Sequence, residues 1–177
     1  MISSRSKPRL NCSKAVYKHK NINNIFRKTS KALHALLMLL SLGAGVPGIW
    51  AVWESHSLAS PPIPHMFSLH SWLGLTTLGL VASQLLLGVS IFLFPCAPSR
   101  LRGQYHQLHV FFGLAFLILA SATSVVGLTE EALFSLASSY PLLPGKGVLL
   151  NLIGIFLTIF TITVTFIATK SSFKPLN

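Results

Sequence analysis

The sequence predicts an all-α integral membrane bundle of about four transmembrane helices. Three observations predict it. Four apolar runs are each long enough to cross a bilayer core, which takes about 20 residues of helix. Only 10% of the 177 residues are charged, against about 25% in soluble domains, which leaves too little polar surface to face water on every side. The charges are also segregated: 14 Lys and Arg stand against 3 acids, and most of the basic residues precede the first apolar run.

The elements follow in order. Residues 1–31 form a basic segment carrying Arg5, Lys7, Arg9, Lys14, Lys18, Lys20, Arg27, Lys28 and Lys31; residues 32–170 form the transmembrane domain; residues 171–177 form a tail. The first span covers about Ala32–Trp53, the second about Phe67–Phe94, the third about His106–Leu128 and the fourth about Gly147–Thr169. Backbone polar groups in lipid must be satisfied within the segment itself, so these spans read as helices. The connections are Glu54–Met66 with Pro61, Pro62 and Pro64, then Pro95–Tyr105, then Thr129–Lys146 with Pro141 and Pro144.

Charge orients the bundle. The basic segment, Arg100 and Arg102 of the second connection, and Lys170 and Lys174 fall on one side. Glu54, Glu130, Glu131 and Lys146 fall on the other. The positive-inside rule then places both termini in the cytosol. Trp50, Trp53 and Trp72 lie near the outer interface, as aromatic belts do. No secretory signal opens the chain, although the Ser- and Lys-rich, acid-free start also has the composition of a mitochondrial presequence. Cys12 and Cys96 show no metal spacing; they read as free thiols, with palmitoylation of Cys96 as the alternative. No internal repeat is evident. Nucleic-acid binding is set aside, because the basic arm leads into membrane-grade sequence rather than a soluble fold. The spans carry no carboxylates and no broken helices, which argues against a transporter.

Histidine inside a membrane span is rare and usually functional. His34 lies one turn into the first span from the basic side, and His109 near the start of the third from the same side, with His106 one turn ahead. Two imidazoles at one depth on different helices have the chemistry to ligate a haem iron from both faces, a six-coordinate arrangement suited to electron transfer; the alternative is that each simply hydrogen-bonds at the interface. His70 starts the second span on the other side, where no second intramembrane His accompanies it, and His56 and His65 fall in the first connection. Gly74, Gly79, Gly88, Gly113 and Gly127 permit close helix approach, whether around a flat macrocycle or in plain helix packing.

Several stretches carry a resemblance. Phe67-Ser68-Leu69-His70-Ser71-Trp72-Leu73-Gly74, Phe92-Leu93-Phe94-Pro95 followed by Leu101-Arg102, His109-Val110-Phe111-Phe112-Gly113, Gly127-Leu128-Thr129-Glu130, Gly147-Val148 with Asn151 and Gly154, and Lys31-Ala32-Leu33-His34 together resemble the cytochrome b561 family of ascorbate-dependent transmembrane reductases. The likeness covers about Ala15 to the C-terminus and is closest to the animal chromaffin-granule, duodenal and lysosomal branch. It implies a six-helix fold with two haems, of which this chain has no counterpart of the first two helices. His34 and His109 would then ligate the cytosolic-side haem b, and His70 would be one ligand of a second haem b whose other ligand is missing. Arg27, Lys31 and Arg102 would bind ascorbate, and His56 and Phe67 would lie on the outer acceptor side.

The function implied is electron transfer from cytosolic ascorbate to monodehydroascorbate or ferric iron across an endolysosomal, secretory-vesicle or plasma membrane. The alternative is a truncated, non-catalytic membrane protein that pairs with or modulates a full-length homologue. Partnership as a homodimer or as a heterodimer with such a homologue fits either reading.

Overall fold

The structure, a computed structural model, describes residues 10–93 and 97–170, with side chains from residue 25 onward. Cys96, the tail 171–177 and the side chain of Cys12 lie outside the described residues. Four helices run in sequence: α1 (Leu10–Leu58), α2 (Leu69–Gly88), α3 (Ser99–Leu136) and α4 (Gly145–Lys170). A π-helical turn, Val89–Leu93, extends α2, and a 3-10 turn, Ala137–Leu142, leads into α4. All four helices are long and apolar enough to cross a membrane. The protein is a multi-pass, all-α membrane protein.

The helices overrun the expected spans. α1 begins in the basic segment and continues past Trp53 to Leu58, so Glu54 and His56 sit on helix rather than in a connection. α3 starts at Ser99, which puts Arg100, Arg102 and His106 on its first two turns, and it runs on through Glu130 and Glu131. The physical reason is common to all of these. Hydropathy reports where side chains leave the hydrocarbon, whereas a helix ends only where its backbone hydrogen bonds stop. Charged residues at the interface satisfy the first condition without breaking the second.

The first connection, from α1 back into α2, is closed by specific contacts. Ser68 caps α2 by accepting from the Ser71 backbone N–H at 3.2 Å, a typical N-cap bond. Met66 adopts a left-handed φ of 56°, uncommon for a residue with a side chain. Its carbonyl accepts from the Trp72 indole at 2.9 Å.

Burial is inverted relative to a soluble protein. Among the described residues the only buried apolar side chain is Ala132, while Leu40, Trp50, Phe156, Ile162 and Phe166 are exposed, as expected of surfaces that face lipid. The contacts between helices are small and polar, the pattern that lets membrane helices approach. Each helix packs on its neighbours in sequence, α2 on α3 most extensively. Buried Thr77 and Thr123 meet between α2 and α3 at 3.5 Å, and Ser121 meets buried Thr161 between α3 and α4 at 2.6 Å.

The α2–α3 register is regular. Gly127 lies against His70, Gly74 against Thr123, Gly113 against Gln84, and Gly88 against His109. In every pair the two numbers sum to 197, as an antiparallel pairing requires. The sequence behind it is a repeat that inspection of the chain misses. His70, Gly74 and Gly88 have the same spacing as His109, Gly113 and Gly127. His70 is eighteen residues from Gly88, and His109 eighteen from Gly127; that is five helical turns, so each His and its glycine lie on one face about 27 Å apart. Antiparallel pairing then sets each His opposite the other helix's glycine.

Candidate functional site

α1 and α3 both enter the bundle from the basic end, and each brings a histidine to one level. The rings of His34 and His109 have centroids 6.3 Å apart and planes at 86°. Imidazole nitrogens bind first-row metal ions at about 2.0–2.1 Å, which sets two rings on opposite sides of one ion roughly 6 Å apart between centres. The observed spacing fits that separation. His109 is held from α2: Gln84 Nε2 donates to its carbonyl at 2.8 Å. A Cβ on Gly88 would come within 3.0 Å of its ring. His109 Nδ1 is buried with no hydrogen-bond partner. Buried polar atoms are rarely left so, and an imidazole in that state fits the ligand of a bound metal centre. Phe92, in the π-helical turn, packs beside the rings of Tyr105, His106 and His109, with ring centroids 5.7, 6.2 and 5.3 Å apart. Such π turns are frequent at functional sites.

The cations above this pair are placed by helical spacing. Arg27, Lys31 and His34 fall at i, i+4 and i+7 on α1, and Arg102, His106 and His109 fall at the same intervals on α3. Those intervals share one helix face, so each candidate ligand has a stripe of basic side chains rising from it toward the membrane surface. Arg27, Lys31 and Arg102 are exposed. Among the described residues the only ion pair is Lys146–Glu131, at the opposite end, so no described acid pairs with the stripe.

His70 stands at that opposite end. Its Nδ1 lies 3.0 Å from the Thr123 carbonyl. A carbonyl only accepts, so Nδ1 carries the proton and Nε2 keeps its lone pair, the tautomer in which a ligating His is usually found. A Cβ on Gly127 would lie 2.6 Å from His70 Cε1, so only glycine admits the ring at this approach. No second imidazole joins His70 among the described residues in the contacts of this end of α2 and α3. His56 and Phe67 do come together, with ring centroids 6.2 Å apart, and Phe67 continues to Phe134 at 6.4 Å.

Residues 12–135 match the model of the eukaryotic cytochrome b561 family. The chain belongs to the cytochrome b561 family. It is 36% identical over 160 residues to the transmembrane ascorbate-dependent reductase CYB561 of Bos taurus, covering 90% of this chain and 63% of that protein. It is 43% identical over 147 residues to the lysosomal membrane ascorbate-dependent ferrireductase CYB561A3 of Bos taurus, covering 81% of this chain and 55% of that protein. The Homo sapiens CYB561 is 35% identical over 160 residues. This cytochrome b561 chain therefore spans about 63% of the length of the first of these relatives.

Sequence reasoning located His34, His109 and His70 from their rarity in apolar spans. It passed over Gly88 and Gly127 as ring-facing positions and Phe92 as the hub beside His109. The repeated His–Gly spacing was the signal for the first two.

Proposed function

We propose that this cytochrome b561 carries electrons across its membrane from cytosolic ascorbate to monodehydroascorbate or ferric iron on the far side. The observation that carries the reading is the His34–His109 pair, with ring centroids 6.3 Å apart on two helices, below the helix faces that carry Arg27, Lys31 and Arg102. His34 and His109 would hold a haem b, which when bound supplies a one-electron couple. Gly88, opposite on α2, gives the His109 ring its room. Ascorbate is a monoanion at neutral pH, and Arg27, Lys31 and Arg102 concentrate and orient it at the basic end. His70, about 27 Å along the bundle from the level of His109, would be one ligand of a second haem b, and His56 and Phe67 line the acceptor side.

The charge segregation supports both termini in the cytosol. It is consistent with an endolysosomal, secretory-vesicle or plasma membrane.

The test is haem per purified chain, with reduced-minus-oxidised spectra after ascorbate. The expected result is an ascorbate-reducible six-coordinate haem that is lost in both His34→Ala and His109→Ala. A folded chain without haem would overturn the reading and leave a membrane protein that acts by pairing with a homologue.

A further inference from the structure

Between α3 and α4, in the half of the bundle near the acidic end, lies a cavity of about 480 Å³. Small-molecule sites have about this size, are mostly apolar with a few placed polar groups, and often lie between the helices of bundles. The α3 wall carries Val125 and Thr129; the α4 wall carries Asn151, Gly154 and Thr158 at i, i+3 and i+7, one helix face. Small residues cut the slot. A Cβ on Gly154 would meet only Leu128, at 3.8 Å. The Thr129 and Thr158 hydroxyls donate back to their own helices, to the Val125 and Gly154 carbonyls at 3.0 and 2.9 Å, so the threonine hydroxyl protons are already engaged. Val125 and Thr129 each stand two residues from Gly127, about 160° around α3 from the face that admits His70. The cavity is therefore separate from the histidine sites.

The slot has one polar end. Tyr140 is fixed there by the 3-10 turn, where Leu143 N–H donates to its carbonyl at 3.0 Å. Buried Gly147 lets the Tyr140 ring lie against α4, since a Cβ there would come within 3.1 Å of it. The Tyr140 hydroxyl donates to Asn151 Oδ1 at 2.7 Å. Asn151 is exposed and lies one turn inside the apolar run that begins at about Gly147. Lipid offers it no hydrogen bond, and unmet polar groups there are costly. The pair keeps the amide N–H groups as donors and the phenolic oxygen as an acceptor. Turning the amide round exchanges the roles and still leaves a donor beside an acceptor. That combination matches a hydroxyl, which both gives and takes a hydrogen bond.

The surroundings select a neutral ligand. No charged side chain lines the cavity among the described residues, and Lys146, on the first turn of α4, is engaged by Glu131 at 2.7 Å. A phosphate or carboxylate headgroup would enter without a counter-charge. The apolar part of the slot runs on from Asn151 past Thr158, about 10 Å along α4. A rigid body loses less freedom in such a slot than a flexible acyl chain does.

We propose that this cavity binds a membrane sterol in the leaflet at the acidic end, with the sterol hydroxyl on Tyr140 and Asn151 and the fused rings along Gly154 and Thr158. No bond is made and no electron moves. The site needs neither haem nor ascorbate, so it stands apart from the reductase reading.

The experiment is photolabelling of the full chain in phosphatidylcholine vesicles that contain a diazirine-bearing cholesterol. Labelled peptides are mapped by mass spectrometry, and unlabelled cholesterol competes against cholestane, which has the same skeleton without the hydroxyl. The expected result is saturable labelling on α3 and α4 around the slot, with cholestane the weaker competitor by the roughly 2–10-fold that one hydrogen bond is worth. Thr158→Leu, which fills the slot with a good helix former, should abolish the labelling. Thr163→Leu, an exposed α4 position outside the slot, should leave it unchanged. The double variant Tyr140→Phe with Asn151→Leu removes both polar partners together, a change that is often nearly neutral for stability, and should make the two competitors equal. Circular dichroism checks that each variant is helical. Absence of saturable labelling in the unaltered chain overturns the proposal whether or not the variants fold. Labelling undiminished in folded Thr158→Leu, or equal competition by cholestane in the unaltered chain, overturns it as well.

Discussion

Substituting Gly127 by alanine is the sharpest test of how His70 is held. The added Cβ would lie 2.6 Å from His70 Cε1 and 2.9 Å from Nδ1, where ordinary contact begins at 3.4 Å. The shortfall is 3.4 − 2.6 = 0.8 Å. The His70 ring cannot yield this without moving away from Thr123, whose carbonyl it binds at 3.0 Å. Overpacking of this kind costs about 1–3 kcal/mol, and an interhelical hydrogen bond in a membrane protein averages about 0.6 kcal/mol.

Glycine to alanine in a helix interior also gains roughly 0.5–1 kcal/mol from propensity. Gly79 isolates that gain, because a Cβ there meets nothing within 4 Å. Gly79→Ala should therefore be neutral or slightly stabilising, and Gly127→Ala should unfold earlier than Gly79→Ala by the clash, about 1–3 kcal/mol. The assay is denaturant unfolding of purified protein in detergent, followed by circular dichroism. Coincident unfolding curves for the two variants would refute the argument that Gly127 exists to admit the imidazole.

Thr161→Val removes the 2.6 Å contact with Ser121 between α3 and α4 and should destabilise the chain by about 0.6 kcal/mol, and by no more than roughly 1.7, in the same unfolding assay. Arg102→Gln should raise the KM for ascorbate and flatten its salt dependence, since a screened cation is what it removes, while haem content stays unchanged; a fall in kcat at constant KM would count against the anion-guiding role. Gly88→Ala, whose Cβ would come within 3.0 Å of His109 Cε1, should shift the ascorbate-reduced spectrum or lower haem content, and Gly79→Ala should do neither.

Much of the architecture was legible in one dimension. Lipid removes water as a hydrogen-bond partner, so four apolar runs had to be helices, and the segregation of charge ordered their ends. Histidine is costly enough in hydrocarbon that His34, His70 and His109 stood out before any fold was known. The family motifs around His70, His109 and His34 are local strings, and the match to cytochrome b561 confirms the family they indicated.

What the sequence could not decide depends on contacts between elements. Helix ends were misplaced because hydropathy follows the bilayer while backbone bonding follows the helix, which is why Glu54, His56, Arg100 and Arg102 moved from loop to helix. Whether His34 meets His109 depends on how α1 settles against α2 and α3, and depth alone does not determine that. The glycines opposite His70 and His109 acquire their meaning only from the antiparallel register, in which a Cβ on one helix becomes a clash on the other. His65 gains its place from a chain reversal at Met66 that brings it back over Trp53. Burial and charge are additive along a chain and so can be read from it; register and ring stacking are pairwise across space, and only the tertiary structure decides them.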